Sequence, residues 1–137
     1  MIDVKPIPDN ELNQAFTIVS QLRPHLDAGQ FACRVTGMKK QGYLVFGAYL
    51  PELAGYMGLR EVETLARGRF LHIDDLIVDK HSRQSGVGSA LINYAKSFGL
   101  SRKIQCIFLD SFPESLEFYL KTGFSDHGSI LVKSTLF

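Results

Sequence analysis

A glycine-containing loop at residues 83–88, Arg-Gln-Ser-Gly-Val-Gly, constrains the fold of this chain more than any other feature. A strand-like segment precedes the loop at residues 70–78, and a helical pattern covers residues 84–98. The first N–H groups of a helix have no intrahelical partner, and the helix dipole adds partial positive charge there. Glycine also lacks the Cβ atom that would keep an anion away from the backbone. The loop is therefore predicted to hold a phosphate or diphosphate at a strand–helix junction.

Other interpretations of this loop differ in how well they fit. The two glycines alone are equally compatible with a turn that only starts a helix. A P-loop requires Lys-Ser or Lys-Thr directly after the second glycine, where this chain has Ser89 and Ala90. A Rossmann fingerprint requires a third glycine at the position of Leu91, and it opens its fold, whereas this loop lies past the middle of the chain. Neither of these two phosphate-binding motifs fits.

The rest of the chain alternates between strand-like and helix-like periodicity, and Ser111 and Glu114 have the spacing of a capping box. Predicted strands cover residues 2–7, 43–49, 53–62, 70–78, 104–109 and 130–137, with a further strand possible near Phe124. Predicted helices cover residues 12–22, 26–39, 84–98 and 116–123. This order predicts an α+β (mixed α/β) fold, in which a single central, mixed and mostly antiparallel sheet is flanked by helices.

Length and composition narrow the class of protein. The 137 residues fit a single domain over residues 1–137, and 45% hydrophobic with 21% charged residues is typical of a globular protein. A net charge of +1 argues against nucleic acid or membrane as a partner. Cys33 and Cys106 have neither metal-ligand nor disulfide spacing, so we expect buried free thiols, no metal and a cytoplasmic location. No signal peptide or membrane-spanning run is recognised.

Two blocks of sequence resemble the GNAT acyltransferase superfamily. Residues 73–78, Ile-Asp-Asp-Leu-Ile-Val, followed by Arg83-x-x-Gly86-x-Gly88, are similar to its central motif. Residues 118–124, Phe-Tyr-Leu-Lys-Thr-Gly-Phe, resemble its last helix and the following strand. The blocks occur in the right order and cover about the C-terminal half, whereas residues 1–40 match only in the order of elements. The resemblance implies the acyl-CoA N-acyltransferase fold.

The resemblance also implies an activity and a cosubstrate. It implies an N-acetyltransferase that uses acetyl-CoA to acetylate a primary amine of a small molecule or peptide by direct attack in a ternary complex. In this family the strand before the loop splays from its neighbour, so that pantetheine pairs with exposed main-chain groups and the pyrophosphate rests on the loop. The residues thereby assigned to the cosubstrate are Leu76, Ile77, Val78, Arg83, Gln84, Ser85, Gly86, Val87, Gly88 and Ser89.

The resemblance assigns the general acid to Tyr119, because a phenol can donate a proton to the leaving thiolate. Tyr119 shares a helix face with Leu116 and Leu120, so it is also compatible with a packing role alone. A backbone N–H at Leu76 is the expected donor to the developing oxyanion.

The general base is expected on the strand at residues 70–78, and His72 and Asp74 are the candidates. In an unbroken strand His72, Asp74, Leu76 and Val78 share one face, and Asp75 points to the other face unless a bulge intervenes. His72 has the ordinary pKa nearer neutrality. Structural roles for both residues stay open at this stage, as a core histidine and as a capping or paired carboxylate.

Residues 110–113, Asp-Ser-Phe-Pro, depart from the family pattern, in which many members carry an asparagine near the start of the last helix. This departure keeps a second function open, that of a non-catalytic acyl-CoA-binding module that regulates a partner. The apolar C-terminus, which includes Leu131 and Phe137, is expected either to cover the core or to pair with another subunit, so a homodimer is possible.

Overall fold

The computed structural model describes residues 1–137. Its strands are β1 (Asp3–Pro6), β2 (Leu44–Tyr49), β3 (Leu53–Thr64), β4 (Gly68–Val78) and β5 (Ile107–Phe108). Its helices are α1 (Leu12–Val19), α2 (Ala28–Lys39), α3 (Val87–Ser101) and α4 (Leu116–Lys121). Short 3-10 turns occur at Asp9–Glu11, Lys80–Ser82 and Pro113–Ser115. None of the helices combines the length and apolarity that crossing a membrane requires.

The five strands form one open sheet in the order β1-β2-β3-β4-β5. All neighbouring pairs are antiparallel except β4 and β5, which run parallel. Helix α3 packs on one face, where Leu91, Ile92 and Ala95 are fully buried, and α1 and α2 pack on the other face against Tyr43 and Tyr56. The mixed, mostly antiparallel sheet flanked by helices is thus confirmed.

A bulge in β4 changes which side chains share a face. Gly58 of β3 pairs with Asp75 and the next residue, Leu59, pairs with Ile73, so Asp74 is an extra residue on β4. Both Asp74 and Asp75 therefore line a cavity on the side of α2. Beyond the bulge the alternation is reversed, so Leu76 and Val78 pack with the cluster around α3 and do not share a face with Asp74.

Strand β4 is paired along its whole length on one side only. It pairs with β3 from Gly68 to Val78, but β5 contributes only two residues, opposite Leu71 and His72. From Ile73 onward the other edge of β4 has no strand partner. The sheet therefore opens between β4 and β5 on the side where β4 leads to the loop at residues 83–88.

The predicted strands near Phe124 and at residues 130–137 are wrong. Residues 125–137, called the C-terminal segment below, form no regular element, and Ile130, Leu131 and Val132 are more than 80% exposed. Their apolar and β-branched side chains favour a strand, but a strand forms only beside a partner that satisfies its N–H and C=O groups.

Two smaller predictions are also wrong. Ser111 does not cap α4, because its hydroxyl donates to the Phe112 carbonyl and a 3-10 turn separates it from the helix. Cys33 and Cys106 are both exposed rather than buried. Cys33 lies on the solvent side of α2, and Cys106 precedes the short edge strand β5, so nothing covers either thiol.

Gly58 is a position where the fold tolerates no larger side chain. A Cβ atom there would lie 1.7 Å from the hydroxyl oxygen of Tyr43, which is held by hydrogen bonds to Asp75 and Tyr56. We expect Gly58→Ala to lower the free energy of unfolding by roughly 2–3 kcal/mol through overpacking. The control Gly37→Ala, in α2 with nothing within 4 Å of an added Cβ, should raise it by roughly 0.5–1 kcal/mol. Urea denaturation measures the free energy of unfolding of each variant. Equal stability of the two variants contradicts the close contact between Gly58 and Tyr43.

Candidate functional site

The loop between β4 and α3 presents unpaired main-chain donors. Gln84 and Gly86 adopt left-handed backbone conformations, with φ of +63° and +89°. The N–H groups of Gln84, Ser85 and Gly86 donate to no backbone acceptor, and all three residues are exposed. Successive N–H groups in such a turn, placed at the beginning of a 15-residue helix, form a concave site suited to an anion.

Gly88 brings three elements into contact. A Cβ atom at Gly88 would lie 2.9 Å from Cζ of Phe118 in α4 and 3.6 Å from Cγ2 of Val78 at the end of β4. The glycine is therefore needed for α4 to pack on the first turn of α3. The sequence motif explains this glycine by the approach of a phosphate, and the structure adds a packing reason.

A polar cluster of Arg60, His72 and Asp74 lies on β3 and β4. Arg60 donates to both oxygens of Asp74, at 2.7 Å from Nε to Oδ2 and 2.9 Å from Nη2 to Oδ1. Nδ1 of His72 lies 2.9 Å from Oδ1 of Asp74. Burial alone would raise the pKa of Asp74, but hydrogen bonds from His72 and Arg60 outweigh it and hold that pKa below its ordinary value. Asp74 is therefore ionised at neutral pH.

The ionised carboxylate fixes the roles of the two histidine nitrogens. A carboxylate only accepts hydrogen bonds, so Nδ1 of His72 carries the proton that it shares with Asp74. In the neutral ring Nε2 is then the free acceptor. Nε2 points toward the exposed Asp110, whose Oδ2 lies 3.9 Å away. The geometry thus presents His72 as the group able to accept a proton and Asp74 as its partner.

Asp75 belongs to a separate network on the same side of the sheet. Its Oδ2 accepts a 2.6 Å hydrogen bond from the Tyr43 hydroxyl, and its Oδ1 lies 3.1 Å from Nη2 of Arg23. Burial raises the pKa of Tyr43 and of Tyr56, so both phenols stay protonated. With both of its oxygens engaged, Asp75 joins the segment after α1 and the start of β2 to β4.

Two adjoining cavities open beside these networks. The first, called the Arg60 cavity, has a volume of about 400 Å³ and is lined by Met38, Gln41, Arg60, Asp74 and Asp75. The second, called the Arg34 cavity, measures about 330 Å³, lies among α1, α2 and the sheet, and shares Met38 and Asp75 with the first. Both volumes fall in the range of small-molecule sites.

Tyr119 lies on the other face of the sheet. Its ring packs against Phe118 and Phe124, with centroids 5.2 and 5.7 Å apart, and against the cluster around α3. Burial is the single cause that raises the pKa of its hydroxyl, which therefore stays protonated at neutral pH. His72 is flanked by Leu71 and Ile73, which belong to the α3 cluster, so its side chain points to the opposite face from Tyr119.

Sequence reasoning missed Arg60 and Arg23. Each residue joins the site by a contact with β4 across a long separation in the chain, and no local pattern marks it. Arg60 pairs with His72 in the β3–β4 register, which only the hairpin and its bulge determine.

Comparison with known proteins agrees with this geometry. The sheet is open, with a free β4 edge and unpaired N–H groups in the loop before α3. The family model described as "Acetyltransferase (GNAT) family" matches residues 10–124. The chain belongs to the GNAT family of acetyltransferases.

Individual relatives give the degree of similarity. The glucosamine 6-phosphate N-acetyltransferase of Trypanosoma brucei brucei is 41% identical over 56 residues, which make up 41% of this chain and 38% of that protein. The match thus spans little more than a third of that relative.

Among solved structures, an acetyltransferase of Trypanosoma brucei has a TM-score of 0.82 at 24% identity over 98% of this chain and 100% of its own. An aminoglycoside N-acetyltransferase in complex with CoA has a TM-score of 0.86 at 15% identity over 100% and 96%. At these identities the similarity establishes a shared fold.

Proposed function

We propose that this chain is an N-acetyltransferase that transfers the acetyl group of acetyl-CoA to a primary amine of a small molecule or peptide. One observation carries the proposal. The unpaired edge of β4 ends at the free N–H groups of residues 84–86, and the two groups suited to proton transfer, His72 and Tyr119, approach this strand from opposite faces of the sheet.

The residues present fit acetyl-CoA as the acyl donor. The N–H groups of Gln84 to Gly86 and the first turn of α3 would hold the pyrophosphate, with Arg83 and Ser89 exposed beside them. The main chain at residues 76–78 has no partner on the β5 side and would pair with the pantetheine arm. No step requires a metal ion in this scheme.

The chain's own groups would divide the proton transfers. Nε2 of His72 takes the proton that the attacking amine loses as its nitrogen bonds to the thioester carbonyl carbon. Asp74 and Arg60 are positioning residues, because they hold the His72 ring and its tautomer. The N–H of Leu76 donates to the carbonyl oxygen as negative charge grows on it. When the carbon–sulfur bond breaks, the Tyr119 hydroxyl gives its proton to the sulfur and is reprotonated from solvent.

Binding of CoA to the loop is tested with a pair of matched glycine variants. Gly86→Glu places a carboxylate in the anion site, and we expect it to weaken CoA binding at least about tenfold through charge repulsion. Gly68→Glu is the control, since Gly68 also has a positive φ, of +68°, but is the first residue of β4, next to the β3–β4 turn. Isothermal titration calorimetry measures both dissociation constants. Unchanged CoA affinity in Gly86→Glu contradicts the proposed site.

The acid role of Tyr119 is tested by Tyr119→Phe, with Tyr94→Phe in α3 as the control. We expect Tyr119→Phe to lower kcat about 100-fold with little change in the KM for acetyl-CoA, because a general acid acts in the transition state. Burial raises the pKa of Tyr119 and keeps this acid protonated through neutral pH, so on the alkaline side kcat should fall only above the ordinary range of a phenol. The fall should disappear in Tyr119→Phe.

Free-thiol release over a pH series measures these rates. Full activity of Tyr119→Phe contradicts the acid role. Tight binding of CoA without transfer to any amine favours the non-catalytic regulatory module instead.

We also propose the cytoplasm as the compartment, because both cysteines are free thiols.

We further propose a homodimer that pairs through the C-terminal segment. The outer edge of β5 has no strand partner, and the segment begins beside it, where His127 packs on Phe108 with ring centroids 5.4 Å apart. Apolar, strand-favouring residues follow and are exposed. Pairing the C-terminal segment of one protomer with β5 of the other would give the edge of β5 a strand partner and would cover the exposed apolar side chains of the segment.

Size-exclusion chromatography with light scattering tests the dimer. The unaltered chain should be a dimer, and the double variant Leu131→Asp with Val132→Asp should be a monomer, because each aspartate places charge in an apolar interface. Leu65→Asp, in the exposed β3–β4 turn, is the control and should stay dimeric. A monomeric unaltered chain, or a dimer that survives the double substitution, contradicts the proposal.

A further inference from the structure

The charges that line the two cavities are unevenly distributed. The Arg60 cavity contains both carboxylates, Asp74 and Asp75. The Arg34 cavity extends from Asp75 toward α2 and is lined by three cationic or titratable bases, Arg23, His25 and Arg34. The remaining lining of the Arg34 cavity is largely hydrophobic, with seven of its eleven residues of that type.

The ion pairs among these residues leave the Arg34 cavity with a net positive charge. Arg60 is neutralised by its two hydrogen bonds to Asp74, and Arg23 is neutralised by Asp75. The second oxygen of Asp75 accepts from the Tyr43 hydroxyl, so both oxygens of Asp75 already have partners other than Arg34. Arg34 makes no ion pair, and Asp75 is the only carboxylate that lines its cavity. Arg34 is therefore an exposed cation without an ion-pair partner at this cavity, which the exposed His25 also lines.

We infer that the acceptor carries an anionic group, a carboxylate or a phosphate, in addition to its primary amine. The inference rests on the proposed acetyltransferase function and assigns the two ends of the acceptor. The amine occupies the Arg60 cavity beside Asp74, the hydrogen-bond partner of His72, and the anionic group reaches the Arg34 cavity. A guanidinium offers a planar pair of donors that matches either anion.

The same charges disfavour polycationic acceptors. A second ammonium group placed in the Arg34 cavity would meet Arg34, which has no ion-pair partner, and like charges at a binding site reduce affinity. The acceptor is thereby distinguished from a polyamine, although both contain the amine that reacts. The apolar lining between the two ends suits a carbon skeleton that carries the amine and the anion at opposite ends.

Two sets of matched acceptors test the inference on the full chain with acetyl-CoA, by release of free thiol. The first set shares one carbon chain: 3-aminopropyl phosphate, 3-aminopropanoate, 3-aminopropanol and 1,3-diaminopropane. The second compares glucosamine 6-phosphate with glucosamine. We expect kcat/KM to be about tenfold higher for an anionic acceptor than for its uncharged counterpart, the effect of one charge-assisted hydrogen bond. The faster of the phosphate and carboxylate arms identifies the anion.

Substitution of Arg34 separates this binding role from a general effect on the enzyme. Arg34→Ala should lower the ratio of kcat/KM for anionic over uncharged acceptors about tenfold, chiefly through KM, because Arg34 lies away from the reacting groups. Arg34→Lys should restore part of the ratio. Lys40→Ala, at the exposed end of α2, is the matched control and should leave the ratio unchanged.

The outcomes distinguish the inference from the function on which it rests. Equal rates for anionic, uncharged and diamine acceptors overturn the inference and leave the proposed acetyl transfer intact. A preference for anionic acceptors that survives Arg34→Ala also overturns it. Absence of transfer to any amine contradicts the proposed function, and the inference falls with it.

Discussion

The bulge in β4 at Asp74 is the constraint on which the rest of the site depends. One extra residue opposite Gly58 turns both Asp74 and Asp75 toward the side of α1 and α2. Asp74 can then meet Arg60 and His72, while Asp75 meets Tyr43 and Arg23. Without the bulge the two carboxylates would lie on opposite faces, and Asp75 would be placed in the apolar cluster around α3 at a large cost in desolvation.

The unequal pairing of β4 provides the second constraint. Strand β3 satisfies one edge of β4 completely, whereas β5 satisfies the other at only two positions. Backbone groups left without partners must face solvent or a ligand. The free edge points to the loop at residues 83–88, where further N–H groups are unpaired. Packing of Phe118 on Gly88 holds α4, and with it Tyr119, against this end of the sheet.

Burial acts to raise the pKa of both Asp74 and Tyr119, but hydrogen bonds oppose it at Asp74 alone. For Asp74, hydrogen bonds from Arg60 and His72 overcome burial and lower the pKa. For Tyr119, burial acts alone and raises the pKa. At neutral pH the first is thus charged and the second neutral. These are the states that the proposed mechanism requires of Asp74 as a positioning residue and of Tyr119 as a general acid.

The sequence by itself determined the order of most elements, the glycine-containing loop at the start of α3 and the two family blocks, because periodicity, glycine placement and helix-start chemistry are local properties. The strand predicted at residues 130–137 is absent, because a strand forms only where a neighbouring strand pairs with its N–H and C=O groups. Tertiary structure alone decided the bulge, the partnership of Arg60 with Asp74, and the exposure of Cys106. Each of these depends on register or on an edge formed by residues distant in the chain, and no local pattern encodes such a pairing.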